Sequence, residues 1–388
     1  MCCNPAHALF FRGKAEESTL GKRVTDFLKR ETVLSAAAML AVISCFLVRP
    51  DREYLGYVDL RTLILLFCLM AVMEGFKQLG AFQMLSACLL RRVGSERGLA
   101  ACLVFLCFLG IMVITNDVSL VTFVPFGLLA LEMAGLGGRV CLTVTLMTIA
   151  ANLGSMLTPI GNPQNLYLYG RSGMSAGGFV ALMFPYAALS ALLLAAALFL
   201  FYRGERADCS VEPPRSLDGR RLLFYGVLFG LCLLTVSGIL PEAALLVLIV
   251  AAVAWDRREL LARVDYGLLL TFVAFFVFIG NMGRLPQFKG FLESILTGNE
   301  RVVSVVASQV ISNVPAALLL SGFTDQWREL IIGTNLGGLG TLIASMASLI
   351  SYKQIAVRYP GQKGRYLAMF TVWNVVFLGI LLAASAVL

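Results

Sequence analysis

The stretch that decides the fold is Ala151-Asn152-Leu153-Gly154-Ser155-Met156-Leu157-Thr158-Pro159-Ile160-Gly161-Asn162-Pro163-Gln164-Asn165-Leu166. It lies within a long apolar segment, 140–169, yet it places three asparagines, two glycines and two prolines where a plain membrane span would carry leucine. Unsatisfied backbone at membrane depth is tolerated only inside protein or beside a water-filled cavity. A helix broken here leaves free carbonyls at one broken end and free N–H groups at the other. The first suits a cation and the second an anion.

The same pattern returns later. Asn335-Leu336-Gly337 with Thr341 and Ile343 repeats Asn152-Leu153-Gly154 with Thr158 and Ile160, at the same internal spacing over nine positions. Two further stretches recur in the same order. Asp59-Leu60-Arg61-Thr62-Leu63 resembles Asp265-Tyr266-Gly267-Leu268-Leu269, and Thr115-Asn116-Asp117-Val118 matches Ser312-Asn313-Val314-Pro315. The chain therefore reads as two repeats, about 59–201 and 265–388.

Working outward, uninterrupted apolar spans fall at about 32–48, 59–79, 178–201, 222–240, 241–255, 265–283 and 366–385. Four apolar segments are interrupted: 99–130, 140–169, 301–323 and 330–352. Of 388 residues, 59% are hydrophobic and 14% charged, and mean hydropathy is +0.84. Soluble domains average about 45–50% apolar and about 25% charged residues, so lipid is the solvent for much of this surface. The longest polar stretch, 202–221, is a loop. Residues 1–31 read as a cytoplasmic tail without a cleavable signal, and 32–388 as a single transmembrane domain.

If 99–130 and 301–323 are re-entrant hairpins, every other segment crosses once. Inside loops then hold 22 lysines and arginines against 8 outside, with Lys77 at a span end left out. That bias places the amino terminus in the cytoplasm and the carboxyl terminus outside, in a plasma or inner membrane. One hairpin then enters from each side, so the repeats are inverted. The expected fold is an all-α polytopic membrane protein of two inverted-topology repeats, each with a re-entrant hairpin and a broken transmembrane helix. Inverted repeats with broken helices mark secondary transporters, whose sites lie at the repeat interface.

The net charge of +8 is accounted for by these loops, and no aromatic and basic groove suggests nucleic acid. Seven of the ten cysteines lie in apolar segments and act as small hydrophobes, while Cys2 and Cys3 are read as having no role. With His7 the only histidine, neither a zinc site nor a catalytic constellation is expected, so the reading is not an enzyme and has no cofactor beyond a coupling ion.

The candidate site residues come from the interruptions. Asn152, Ser155, Thr158, Asn162 and Asn165, with Asn335, Thr341 and Ser345, offer neutral oxygens and amides suited to Na+ and to a carboxylate or oxyanion. Gly154, Gly161, Gly337 and Gly338 let the backbone approach a ligand. At the hairpin tips stand Thr115, Asn116 and Asp117, and Ser312, Asn313 and Pro315. Such groups can also simply cap helix ends and satisfy one another. Asp117 is an intramembrane carboxylate, a functional candidate able to carry a proton or balance a cation, or else an N-cap. Its repeat partner is Val314. A Na+ ion is expected at Asn116, Asp117, Asn152, Asn313 and Asn335. Glu74 reads as an interfacial anchor or a partner of Lys77, and Arg171 and Arg328 as surface charges.

From Asp59 onward, the Thr115-Asn116-Asp117 tip and the run quoted above resemble the ion transporter superfamily. Its members include arsenite permeases, sodium/proton antiporters of the D type, citrate transporters and divalent anion/sodium symporters. The nearest resemblance is to a permease branch akin to those symporters, with a citrate-transporter-like domain. The resemblance implies a scaffold set and a mobile set of helices, a homodimer and an elevator-like step. The divalent anion symporters bind through Ser-Asn-Thr tips. Here both third positions differ, and the Asn-Asp tip is closer to the arsenite permeases.

The expected function is transport of a small anion, either a carboxylate such as citrate or a dicarboxylate, or an inorganic oxyanion such as arsenite, by symport with Na+ or H+. A Na+/H+ antiporter using Asp117 is the alternative, and a channel a weaker one. The expected partners are the anion and the lipid bilayer.

Overall fold

The computed structural model describes residues 31–90, 93–113, 116–206 and 218–387, without the side chains of Leu90, Asn116, Asp117 and Val118. All regular structure among them is helical apart from an isolated bridge between Ser95 and Arg206. Among the described residues, five helical stretches are long and apolar enough to cross a membrane, or six if Leu60–Gln78 and Ala81–Leu89, bent by 58°, count as one. Large exposed side chains such as Phe46, Phe199, Leu200 and Trp255 suit contact with lipid rather than water. The chain is a multi-pass helical membrane protein.

The described residues divide into two compact units. The first joins residues up to Val58 with Asp265–Leu285. In it α1 (Thr32–Leu47) packs along Tyr266–Gly283, which is α11 in chain order. Asn281 Nδ2 donates to Ser44 Oγ across this pair at 2.9 Å. At its end Arg284 meets Asp51 at 2.7 Å and the Tyr57 hydroxyl at 3.2 Å. The guanidinium holds the Asp51 carboxyl below its ordinary range.

The second unit holds the rest. It opens with α2 (Leu60–Gln78), α3 (Ala81–Leu90), α4 (Glu96–Gly110) and α5 (Asn116–Met133). It continues through α6 (Val140–Gly154), α7 (Pro163–Ser172), α8 (Ala176–Phe201), α9 (Gly219–Val236) and α10 (Glu242–Arg257). After α11 follow α12 (Pro286–Leu296), α13 (Glu300–Ile311), α14 (Asn313–Leu320) and α15 (Trp327–Leu336). The chain closes with α16 (Met346–Arg358) and α17 (Lys363–Ser385).

The succession from α2 to α8 recurs from α11 to α17: a long helix, a short one, two helices meeting at a tip, a broken pair and a long closing helix. The two series start alike. Asp59 accepts from the N–H of Thr62, and Asp265 from that of Leu268. Each is an N-cap satisfying a donor the helix start leaves free. The short helices α3 and α12 are additions to the hydropathy reading, which placed no element there. Each is too short to register as a span, and α12 also carries Lys289 and Glu293.

Helix α6 is the centre of the second unit, and every one of its 15 residues is buried. α4, α5 and α17 pack against it, as α13 packs along α15. The helices α13 and α14 have 12 and 8 residues, so they rise about 18 and about 12 Å, against about 30 Å of hydrocarbon. Neither can cross alone.

Ion pairs fasten the open ends of both helix pairs to the broken helices. Glu96, at the start of α4, receives Arg139, just before α6, at 2.6 Å. Arg301, at the start of α13, holds Glu329 of α15 at 2.7 Å and also donates to the Ser385 carbonyl. Glu132 at the end of α5 is bound by Arg358 and Tyr359, which hold its carboxyl below the ordinary range. Arg301→Met leaves Glu329 without its partner. The expected loss is about 1–3 kcal/mol, read as a lower melting temperature in detergent, and Arg301→Met/Glu329→Met recovers part of it.

Candidate functional site

The first break begins where α6 runs into a single 3-10 turn, Ser155–Leu157. Thr158 is extended, and the chain restarts at Asn162, the N-cap residue of α7, with Pro163 in the first helical position. Proline needs no N–H partner there, so the restart is fixed by covalent geometry. Gly154 is required by the approach of α4: a Cβ would lie 2.1 Å from the Phe108 carbonyl oxygen. Gly161 sits as close to the Ser155 carbonyl.

Amides close the gap. Asn162 Nδ2 donates to Ser155 Oγ, which itself donates to the Asn152 carbonyl at 2.9 Å. Asn165 Nδ2 donates to the carbonyls of Ser155 and Thr158 at 3.1 and 3.4 Å. The Thr158 hydroxyl donates to the Met112 carbonyl at 2.6 Å, tying the break to the α4 tip.

The second break follows Leu336 and ends at Ser345, the N-cap residue of α16. Gly340, at φ +109°, takes a backbone conformation that side chains disfavour. Gln309 of α13 reaches in. Its Nε2 donates to the carbonyls of Gly337 and Leu339, both at 2.9 Å, and its Oε1 accepts from the N–H of Thr341 at 2.9 Å. The Thr341 hydroxyl donates to the Gln309 carbonyl at 3.0 Å.

The two breaks are bonded to each other. Asn152 Nδ2 donates to the Gly338 carbonyl at 3.3 Å, and Ser345 Oγ donates to Asn152 Oδ1 at 2.8 Å. Asn335 Nδ2 donates to Asn165 Oδ1 and to the Ile331 carbonyl, each at 2.7 Å. Both donors of Asn335 are thus used, which fixes which end of its amide is oxygen. Its Oδ1 is buried without a hydrogen-bond partner among the described residues, as are both polar atoms of Gln164. A buried unpaired polar atom costs about 1–3 kcal/mol, so such atoms are suited to holding a water or an ion.

At the second tip, Ser312 has φ +73°, a left-handed conformation held by its neighbours. The Asn313 N–H donates to the Ala344 carbonyl at 3.0 Å, and Ser312 Oγ reaches the same oxygen at 3.4 Å. A Cβ on Gly338 would lie 3.1 Å from Asn313 Nδ2, and one on Gly337 2.6 Å from Ser308 Oγ. Pro315 is buried in the first turn of α14.

The fold therefore brings Asn152, Ser155, Asn162, Asn165, Asn335, Gly338 and Ser345 into one bonded network. Ser312, Asn313 and Thr341 lie around the second tip and break, and Thr158 at the first. Thr115 lies outside the described residues, as do the side chains of Asn116 and Asp117, whose backbone begins α5. Gln309 was not singled out in the sequence. Its signal was a polar residue three positions before Ser312 in an otherwise apolar helix face. Glu74 pairs with Lys77 at 3.0 Å and lies 3.9 Å from Arg263.

Since a backbone oxygen opposes Gly154, Gly154→Ala forces α4 and α6 apart. A destabilisation of about 1–3 kcal/mol is expected, measured as a lower melting temperature.

Comparison with known proteins agrees with this architecture. Residues 23–324 match the family model for the CitMHS citrate transporter family. An inner membrane protein of Escherichia coli K12, YbiR, is 32% identical over 80% of this chain and 84% of its own length. An uncharacterized transporter of Methanocaldococcus jannaschii is 33% identical over 78% and 82%. A 46 kDa membrane protein of Mycobacterium leprae is 23% identical over 82% and 85%. The chain belongs to the CitMHS family of membrane transporters.

Proposed function

We propose that this protein is a secondary active transporter moving a small anion across the membrane in symport with Na+ or H+, by alternating access between two inverted repeats. The anion is a carboxylate such as citrate or a dicarboxylate, or an inorganic oxyanion such as arsenite. The observation that carries the reading is the pair of broken helices cross-bonded by amides, with the side-chain oxygen of Asn335 buried and without a partner among the described residues. An amide oxygen beside free helix-end carbonyls suits a hard cation, while the N–H groups opening α7 and α16 suit an anion.

Further support comes from the packing of the outer helices. α9 and α10 lie on α2, the first helix of one series, and α1 lies on α11, the first helix of the other. Such an exchange is what a two-fold relation between inverted repeats would generate. The amino terminus is cytoplasmic and the carboxyl terminus outside in this reading, with two chains forming a homodimer.

The test is accumulation of radiolabelled citrate, succinate, malate, sulfate, phosphate or arsenite by proteoliposomes under an imposed Na+ or proton gradient. At least one should accumulate, and Asn335→Ala should cut its rate about 10-fold or more, a loss of about 1.4 kcal/mol in transition-state stabilisation. If none accumulates under either gradient, the reading fails. Na+-dependent proton movement without any anion would instead identify an antiporter.

A further inference from the structure

Hydroxyls collect where α6, α16 and α17 meet. Thr148 of α6 donates to the Val144 carbonyl at 2.7 Å, and its oxygen lies 2.7 Å from Ser351 Oγ of α16. A serine or threonine inside a helix commonly donates to the carbonyl four residues back, as Thr143, Ser304, Ser308 and Thr334 also do here. Thr145 of α6 and Ser348 of α16 do not. With the Tyr366 hydroxyl of α17 they are three fully buried oxygens without a hydrogen-bond partner among the described residues.

The three belong to one seam. Ser345 and Ser351 are both bonded to α6, at Asn152 and at Thr148, so Ser348, midway between them, lies along the same interface. Thr145 stands one turn from Thr148 and on its face of α6. Tyr366 comes near both Thr148 and Ser351, short of hydrogen-bond geometry with either. One turn beyond Thr145, the Cys141 thiol donates to the half-exposed Gln362 at 3.2 Å. Polar groups therefore run from the amide network, at Asn152 and Ser345, to the surface of the unit.

The spacing suits water. Successive groups along each helix are three or four residues apart, a rise of about 4.5–6 Å. Two hydrogen bonds of about 2.8 Å each, through one water, cover that gap. A buried water takes its bonds from polar groups that the protein leaves unpaired. Packing does not demand the hydroxyls, because the repeat partners of Thr148 and Ser351 are apolar. Four residues before Asn335 stands Ile331, and six after Asn162 stands Leu168, both buried.

We propose that the seam between α6, α16 and α17 binds a file of water molecules, held by Thr145, Thr148, Ser348, Ser351 and Tyr366. The file completes the three unpartnered oxygens. It also gives the amide network a hydrated connection to the surface near Gln362.

The test is X-ray hydroxyl-radical footprinting of the purified full-length chain in detergent, read by mass spectrometry. Radiolysis of a bound water oxidises the side chain beside it, so a buried residue labels where water sits. Tyr366 should label about 10 times faster than Phe377, an aromatic residue also buried on α17. Thr145→Val/Ser348→Ala keeps the side-chain shapes closely and removes two of the oxygens. It should slow labelling of Tyr366 about 5-fold or more, with melting temperature and chromatographic homogeneity reporting folding. Labelling of Tyr366 as slow as that of Phe377, or fast labelling that the double variant leaves unchanged, overturns the proposal. If the double variant does not fold, the wild type decides alone. Fast labelling of Tyr366 that persists with a radical scavenger in the bulk supports the file, and labelling that the scavenger abolishes overturns it.

Discussion

The second unit depends on one constraint: backbone polar groups at membrane depth must find partners inside the protein. Two apolar segments whose helices break violate it locally, and the surrounding structure meets the demand. Helix-pair tips bring carbonyls to Thr158 and Thr341, while Asn162, Asn165 and Gln309 reach carbonyls the breaks leave open. Small residues let this happen, since Gly154 and Gly337 admit the neighbouring helix at distances no side chain would allow. Breaks, tips and glycines are thus parts of one solution.

The chemistry of the centre follows from how that demand is met. Asn152, Asn165, Asn335 and Ser345 are neutral, and each can both donate and accept except where bonding has already committed it. Among the described residues, ion pairs stand at the helix ends instead, where Glu96–Arg139, Arg301–Glu329 and Glu132–Arg358 join the helix pairs to the broken helices. Apart from the buried Glu96, the partners are partly exposed, which spares them much of the desolvation that a charge near the network would suffer.

The comparison between halves adds a second lesson. Repeats related by sequence keep the bonds that hold the backbone, such as those of Thr158 and Thr341, and diverge where side chains meet the free carbonyls. Met112 and Gln309, each three residues before its tip residue and each accepting a threonine hydroxyl at its carbonyl, are such a divergence. It is invisible to hydropathy, because both residues fit a half-apolar helix face.

The sequence by itself determined that this chain lives in a membrane, that its helices break at Asn152–Pro163 and Asn335–Ser345, and that the breaks are repeats. Those features are local: apolar length, proline and glycine positions and matched spacing fix them without any tertiary contact. The pairing of Glu74 with Lys77 was legible for the same reason, because three residues apart on a helix are neighbours. Only the tertiary structure decided that Asn152 bonds the opposite break, that Asn335 turns one donor to Asn165 and leaves its side-chain oxygen without a partner among the described residues, and that Gln309 donates to carbonyls of the second break. These contacts join residues tens to hundreds of positions apart. Which acceptor an amide chooses there depends on helix packing, and a single sequence does not encode that choice in any local pattern.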